Sequence, residues 1–269
     1  MNLLFGIVQG RLTKAPKNRL QVFPRIKNIK KEFSNAKKLG FNYIELFTER
    51  KYNSLNPIWC KKDENFYQNL KKKHKLKTPN LCDDYIISNS IKLNKNINYI
   101  KDLILNIKKL NIKNLILPLY GKSNLDDNNF ISFKNCLVEI TNLAKKNNIN
   151  ILIESNINPK NFSTLKKLIK NKNFYFVFDT GNRINLKRNI YEDLSMFFNH
   201  IKLIHLKDKN KENKNVKFGQ GEVIFYNIFK ILKKKKYKHN ITFESVRGEN
   251  PLKTAKKNIS YFKNLIKKL

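Results

Sequence analysis

The sequence has little that would bend or cross-link it. Its 269 residues include eight glycines, seven prolines and three cysteines. No proline-, glycine- and serine-rich stretch interrupts the chain, so nothing in the composition divides it, and residues 1–269 read as a single domain. Cys60, Cys82 and Cys136 are odd in number, widely spaced and form no CxxC pair. That argues against a disulfide framework or a zinc module and fits a reducing, cytoplasmic setting. No apolar run approaches the roughly 18 residues of a membrane span. The opening MNLLFGIV is too short for a signal h-region and reads as a first strand.

Acid is scarce as well. Twenty Asp and Glu face 56 Lys and Arg, for a formal charge of +36. Nucleic acid is the obvious partner for such a balance. Yet only seven of the basic residues are arginine, and the lysines are spread over nearly every polar helix face. Lysine, asparagine and isoleucine are abundant together, as A/T-biased coding produces, and no RNP-type, KH or zinc-finger pattern is present. The charge reads as a solvated basic surface with no specific nucleic-acid partner. At 41 % hydrophobic and 12 % aromatic the chain has ample material for a core, which excludes disorder.

Short apolar runs alternate with longer stretches of helical period. Strands are predicted near 3–8, 42–47, 79–83, 114–118, 149–154, 174–179, 202–206 and 240–244. Helices are predicted near 26–39, 63–75, 93–110, 129–147, 160–171, 190–199, 223–235 and 251–267. Phe130, Phe133, Leu137, Ile140 and Ala144 step by three and four, as do Ala255, Ile259, Phe262 and Ile266. The strands are apolar throughout rather than alternating, as expected when both faces are covered. Eight strands alternating with eight helices point to an α/β fold, a (β/α)8 TIM barrel. A doubly wound sheet is the alternative, but no strand is followed by the dinucleotide glycine pattern. Six of the eight glycines follow predicted strands, on the catalytic face of such a barrel, and Gly40 reads as a helix C-cap.

Four strands end on a polar, metal-competent residue. NILIES, FYFVFDTGN, LIHLKD and NITFES carry Glu154, Asp179, His205 and Glu244 at the ends of strands five to eight. Singly, each could cap the helix that follows. Together on one rim, three carboxylates in a low-dielectric mouth need protons or a shared cation. One divalent metal with three oxygen ligands and one imidazole satisfies them, a set leaning towards manganese, magnesium or cobalt, with zinc less suited. Arg11, Arg183 and Arg247 follow the first, sixth and eighth strands, where a guanidinium fork would hold a phosphate or carboxylate, or pair with rim acids. Gln9 and Lys207 are further substrate-binding candidates, and Glu45 and Asp83 either face the mouth or cap helices. His74, His200 and His239 read as structural or solvated.

ILIES, FDTGN, IHLKD, GQGEV and ITFES, in that order, resemble the xylose isomerase-like barrels, which include sugar-phosphate isomerases and epimerases. GIVQGRL, FNYIELF, LCDDY and LILPL extend the resemblance over essentially the whole chain. The resemblance implies one divalent metal on Glu154, Asp179, His205 and Glu244, with Glu154 and Glu244 as acid and base. It implies a sugar or sugar-phosphate substrate and isomerisation or epimerisation through an enediolate, dehydration of a keto-sugar or keto-cyclitol being the alternative outcome. A homodimer is open, as is a barrel that binds sugar without turnover. Abasic-site endonucleases share the fold but use a three-zinc cluster rich in histidine, which four histidines here do not readily supply. Many relatives carry a histidine three residues after the aspartate. Asn182 stands there instead, able to hydrogen-bond a sugar hydroxyl but a poor ligand for a second metal. On this reading Asp179 is a metal ligand rather than a turn former, and Gly181 turns the chain away beside it.

Overall fold

The computed structural model describes residues 3–15, 21–60 and 65–269, so the first two positions of the predicted 63–75 helix lie outside the described residues. Eight parallel strands close into a barrel in the order β1-β10-β7-β6-β5-β4-β3-β2. They are β1 (Phe5–Val8), β2 (Tyr43–Thr48), β3 (Asn80–Asp83), β4 (Asn114–Pro118), β5 (Asn150–Glu154), β6 (Phe174–Asp179), β7 (Ile201–Leu206) and β10 (Asn240–Phe243). Between β7 and β10 a small antiparallel pair, β8 (Asp208–Lys209) and β9 (Asn215–Val216), stands outside the barrel.

The helices are α1 (Ile26–Leu39), α2 (Phe66–His74), α3 (Tyr85–Ser88), α4 (Asn94–Lys109), α5 (Lys134–Lys146), α6 (Pro159–Ile169), α7 (Thr180–Ile184), α8 (Ile190–Phe197), α9 (Phe225–Lys234) and α10 (Pro251–Lys267). Every predicted barrel strand is present within two residues at either end. The expected 129–147 helix begins later, because Phe130–Phe133 forms a tighter 3-10 turn. Two short helices, α3 and α7, and the β8–β9 pair fall in segments expected to be loops.

Residue contacts group the chain into two compact units. The first comprises Met1–Glu45, His74–Lys77 and Phe178–Leu269. Its helical packing centres on Phe262 of α10, fully buried, whose ring centroid lies 5.0–5.3 Å from those of Phe218, Phe225, Phe229 and Phe243. Edge-to-face and stacked pairs of this kind add about 0.5–1.5 kcal/mol each beyond area burial. Asn250 caps α10 by accepting from Lys253 N, and Pro251 occupies the first turn, where a missing N–H costs nothing. Gly40 ends α1 at φ 86°, the left-handed cap expected of it.

The second unit comprises Leu46–Lys73 and Thr78–Val177. Its strands β4 and β5 are mostly aliphatic and buried. At their starting ends the side chains of Asn80, Asn114 and Asn150 form a ladder, Asn114 Nδ2 donating to Asn80 Oδ1 and Asn150 Nδ2 to Asn114 Oδ1, each at 2.8 Å. The ladder lets polar residues sit in register in neighbouring strands at little cost.

Candidate metal and sugar site

The FDTGN stretch organises its surroundings residue by residue. Asp179 ends β6 and caps α7, its Oδ1 accepting from Asn182 N at 2.8 Å. Its other oxygen, Oδ2, lies 2.8 Å from Lys207 Nζ. Of the two roles open to Asp179, ligand and turn former, Oδ1 fills the second, while Oδ2 faces the buried cation. Thr180 donates to Lys207 O at 2.6 Å and accepts from Lys207 N at 3.0 Å, fixing the lysine's backbone. Gly181 does not adopt a positive φ, so it is not needed to turn the chain. Its role is steric, because a Cβ there would lie 2.6 Å from Lys207 Cγ. Three consecutive residues therefore seat one lysine.

Lys207 is buried, and its ammonium also lies 3.0 Å from Glu244 Oε2. Glu244 follows β10 and receives two more positive partners: His205 Nδ1 at 3.3 Å and Arg11 Nη2 at 3.4 Å. Burial alone would raise this carboxyl, but Lys207, His205 and Arg11 outweigh it and hold Glu244 well below the usual carboxylate range. His205, at 2 % exposure, has its other nitrogen, Nε2, 3.0 Å from Glu45 Oε1. Glu45 is itself fully buried and faces this cluster, one of the two roles open to it in the sequence. Asp83 instead accepts from Tyr99 OH and from Thr48 Oγ1.

Glu154, 5 % exposed, ends β5 and accepts from Tyr120 OH at 3.2 Å. Glu154, Asp179 and His205 form a buried group whose ligand atoms all lie within 4.8 Å of one another, a donor set able to hold a metal ion. Two carboxylates and an imidazole, buried together, suit a hard or borderline divalent cation. Glu244, the fourth expected ligand, stands against His205 Nδ1 and Lys207.

The remaining candidates divide. Arg11 is 1 % exposed and also donates to Gln21 Oε1 at 2.7 Å, so it sits beside Glu244 as rim reasoning suggested. Arg183 is turned into the core, a departure from the expected substrate role. Its guanidinium pairs with Asp193 and stacks over Phe178 and Phe197, 5.4 and 4.8 Å from the ring centroids. Asp193 lies ten residues on, in α8, and only its scarcity as an acid marked it in the sequence. Arg247 donates from Nε to Gly10 O at 2.7 Å and lines a basic cleft with Lys14, Lys217, Lys253 and Lys257. Gln9 is buried and Asn182 half-buried. Tyr120, Thr242 and Tyr43 carry no charge, and Tyr43 and Thr242 lie within strands, so no strand-end pattern in the sequence marks them.

Glu32 of α1 holds the β1–α1 turn from below. Its oxygens accept from Gly10 N at 2.7 Å, Leu12 N at 3.2 Å and Thr13 Oγ1 at 3.0 Å, which fixes the backbone on both sides of Arg11. Burial pushes this carboxyl up to about 7, against the opposing pull of those donors and of Arg247. The folded state therefore holds its proton more tightly than the unfolded chain. The corresponding stability is present below about pH 4.5 and is lost as pH rises through 7, on the order of 3 kcal/mol in all. Glu32→Gln misplaces a donor against the turn and should cost about 1–3 kcal/mol at pH 4.5. Urea midpoints should show that deficit shrinking towards pH 8; a deficit constant with pH would refute the account.

No helix among the described residues is long and apolar enough to cross a membrane. No curated protein matches the sequence. The profile of the family described as xylose isomerase-like TIM barrel matches residues 33–265. Among solved structures, a D-psicose 3-epimerase from Clostridium cellulolyticum H10 superposes with TM-score 0.74 at 13 % identity, over 98 % of this chain and 99 % of its own. A 3-keto-D-glucoside 4-epimerase from E. coli gives 0.75 at 14 % identity, over 98 % and 100 %. A probable 3-DHS dehydratase from Bacillus anthracis, described as involved in petrobactin synthesis, gives 0.75 at 14 % identity, over 97 % and 99 %. At such identities these likenesses are likenesses of fold.

Proposed function

The chain belongs to the xylose isomerase-like TIM barrel family, and from that premise we propose that it is a divalent-metal-dependent isomerase or epimerase of a sugar or sugar phosphate. The observation that carries the reading is the buried Glu154–Asp179–His205 group, with Glu244 held ionised at its side. Fold alone would not support it, since barrels of this kind host many chemistries.

A divalent cation, manganese, magnesium or cobalt before zinc, would polarise the substrate carbonyl and so acidify the neighbouring C–H. The rest falls to the protein's own residues. One of Glu154 and Glu244 takes the proton from the carbon beside the carbonyl, and the other returns one. Return to the same carbon from the opposite face gives an epimer; return to its neighbour gives the aldose–ketose isomer. Arg11 and Lys207 steady the developing negative charge from buried positions, where a cation acts through a lower dielectric than in water. Gln9, Asn182 and Arg247 are the proposed hydroxyl and anion contacts. Arg183 drops out of that set, its charge being satisfied by Asp193.

Dehydration is the second reading, on the same site, favoured by the dehydratase among the structures of similar fold. A histidine-rich three-zinc nuclease cluster is disfavoured, because His205 is the only one of the four histidines in the candidate metal group.

The test is incubation in deuterated water with manganese and a panel of ketoses, ketose phosphates and keto acids, followed by NMR. Deuterium should enter a carbon adjacent to a carbonyl, and the product identifies epimer, isomer or dehydrated enone. No exchange with any substrate, together with no rise in melting temperature on adding a divalent ion, would overturn both site and mechanism.

A further inference from the structure

Beside Glu244 and Arg11 opens a cleft whose charge the proposed reaction uses only in part. It measures about 1570 Å³ and is lined by Lys14, Lys214, Lys217, Arg247, Lys253 and Lys257, with Glu249 the one acid among the described residues that line it. Pockets that enclose ligands of drug size span about 300–1,000 Å³, so the cleft exceeds the needs of a single sugar ring.

Its walls are fixed, which separates it from the solvated lysines elsewhere on the surface. Asp208, 1 % exposed, accepts from Gly219 N at 2.9 Å and Gly221 N at 3.0 Å through Oδ2, and from Val223 N at 3.3 Å through Oδ1. One buried carboxylate thereby clamps the loop that carries Lys217. A Cβ at Gly221 would lie 2.2 Å from Asp208 Oδ1, so a larger residue would break the clamp. Phe218, in the same loop, packs with ring centroids 5.3 Å from Phe225 and 5.0 Å from Phe262. A second wall is the start of α10, which carries Lys253 and Lys257.

The cleft adjoins the reaction site through Arg247, three residues after Glu244. Its Nε donates to Gly10 O at 2.7 Å, and Gly10 precedes Arg11, whose Nη2 lies 3.4 Å from Glu244 Oε1. The cleft's arginine is thus tied to the turn that delivers a cation to Glu244. All these residues belong to the first compact unit.

Little within the protein balances this charge. Among the described residues none of the five lysines makes an ion pair. Glu32, which interacts electrostatically with Arg247, has its oxygens occupied by Gly10 N, Leu12 N and Thr13 Oγ1. A concave cluster of like charge raises the local concentration of counter-ions. A phosphate brings nearly two charges and three strong acceptor oxygens, which suit a planar guanidinium and flanking ammonium groups.

We infer that the cleft is a phosphoryl subsite: the substrate is a sugar bearing phosphate or diphosphate, its charged end held by Arg247, Lys217, Lys253 and Lys257 while its reacting end lies at Glu244. The placing of the reacting end rests on the isomerase or epimerase reading; phosphate binding in the cleft does not.

Binding and turnover therefore test it separately. Isothermal titration with inorganic phosphate and pyrophosphate at about 0.15 M salt, where the Debye length is about 8 Å, reads the cleft without metal or reaction. Pyrophosphate should bind, and Lys253→Gln/Lys257→Gln should weaken it about 10–100-fold, as for loss of charge-assisted hydrogen bonds. Lys145→Gln/Lys146→Gln, at the end of α5 in the other unit, removes the same charge and should change the affinity less than about twofold. Both pairs occupy exposed helix positions, where glutamine is tolerated. In the deuterium-exchange assay phosphorylated sugars should be preferred, and the cleft variant should raise their KM with kcat unchanged, the sign of lost uniform binding. No pyrophosphate binding, or an equal loss in both variants, overturns the inference. A single-stranded oligonucleotide that binds more tightly than pyrophosphate and depends on the same lysines would assign the cleft to nucleic acid and overturn it as well. Exchange on free sugars alone, untouched by the cleft substitutions, overturns the inference and leaves the proposed function standing. Pyrophosphate binding that depends on Lys253 and Lys257, without exchange on any sugar, has the reverse meaning: the subsite stands and the isomerase reading falls.

Discussion

Glu244→Gln should reduce deuterium exchange beside the carbonyl by about 10²–10⁴-fold, the range a positioned general base supplies. The amide is nearly isosteric, so the shape of the site survives while the group that takes or returns the proton is lost. The same reasoning applies to Glu154→Gln, whose native carboxylate has Tyr120 OH as a neutral donor. Glu244→Gln carries a further cost. Around Glu244 stand Lys207, Arg11 and His205, and neutralising their partner leaves buried positive charge uncompensated. Glu244→Gln should therefore also be destabilised by about 3–5 kcal/mol, as when one member of a buried pair is removed. A variant of either kind that is folded, binds manganese and exchanges deuterium at the native rate would sink the two-carboxylate scheme. Glu244→Asp separates charge from reach: it keeps the carboxylate, should restore stability in part, and should leave exchange low because the oxygen falls short.

The barrel was legible because its signal is local and repeated. Apolar runs of four to six residues, punctuated by amphipathic helices, need no long-range information to be recognised. The ligand group was legible for a related reason: a polar residue at the end of a buried strand is conspicuous, and Glu154 and Asp179 end β5 and β6 while His205 stands one residue before the end of β7. What stayed hidden is who faces whom. Lys207 looked like one lysine among many until Thr180, Gly181 and Asp179 were seen to build its seat. Arg183 and Arg247 both follow strands, yet one points inward to Asp193 and the other outward to a basic cleft. Their direction depends on the helix that packs beside each loop, and strand-end counting carries no such information. The glycines misled similarly. Gly6 and Gly181 are needed for close approach by Tyr43 and Lys207, a partner-dependent requirement that no local turn pattern reveals.

Lys207→Met should lower the melting temperature of the metal-free protein by about 6–15 °C, corresponding to about 3–5 kcal/mol for loss of one partner from a buried ionic group. The ammonium is shared by Asp179 at 2.8 Å and Glu244 at 3.0 Å, and both carboxylates are buried. Methionine fills the space beside Gly181 with a stem of similar length, so packing is largely preserved and the loss is electrostatic. Without the lysine, Asp179 and Glu244 lose the cation they share. A divalent cation binding the neighbouring Glu154–Asp179–His205 group relieves that imbalance, and ligand binding to the folded state raises stability with concentration. Manganese should therefore raise the melting temperature more in Lys207→Met than in native protein, and its affinity should increase about tenfold, because the ion no longer enters beside a fixed positive charge. Differential scanning fluorimetry across a manganese series, with isothermal titration of the metal-free protein, reads both effects. An unchanged melting temperature without metal would show that the lysine does not balance the carboxylates. Weaker manganese binding in the variant would instead mean that Lys207 helps to shape the metal group rather than competing with it. The two outcomes separate an internal counter-ion from a positioning role, and only the first predicts that the metal and the lysine oppose one another.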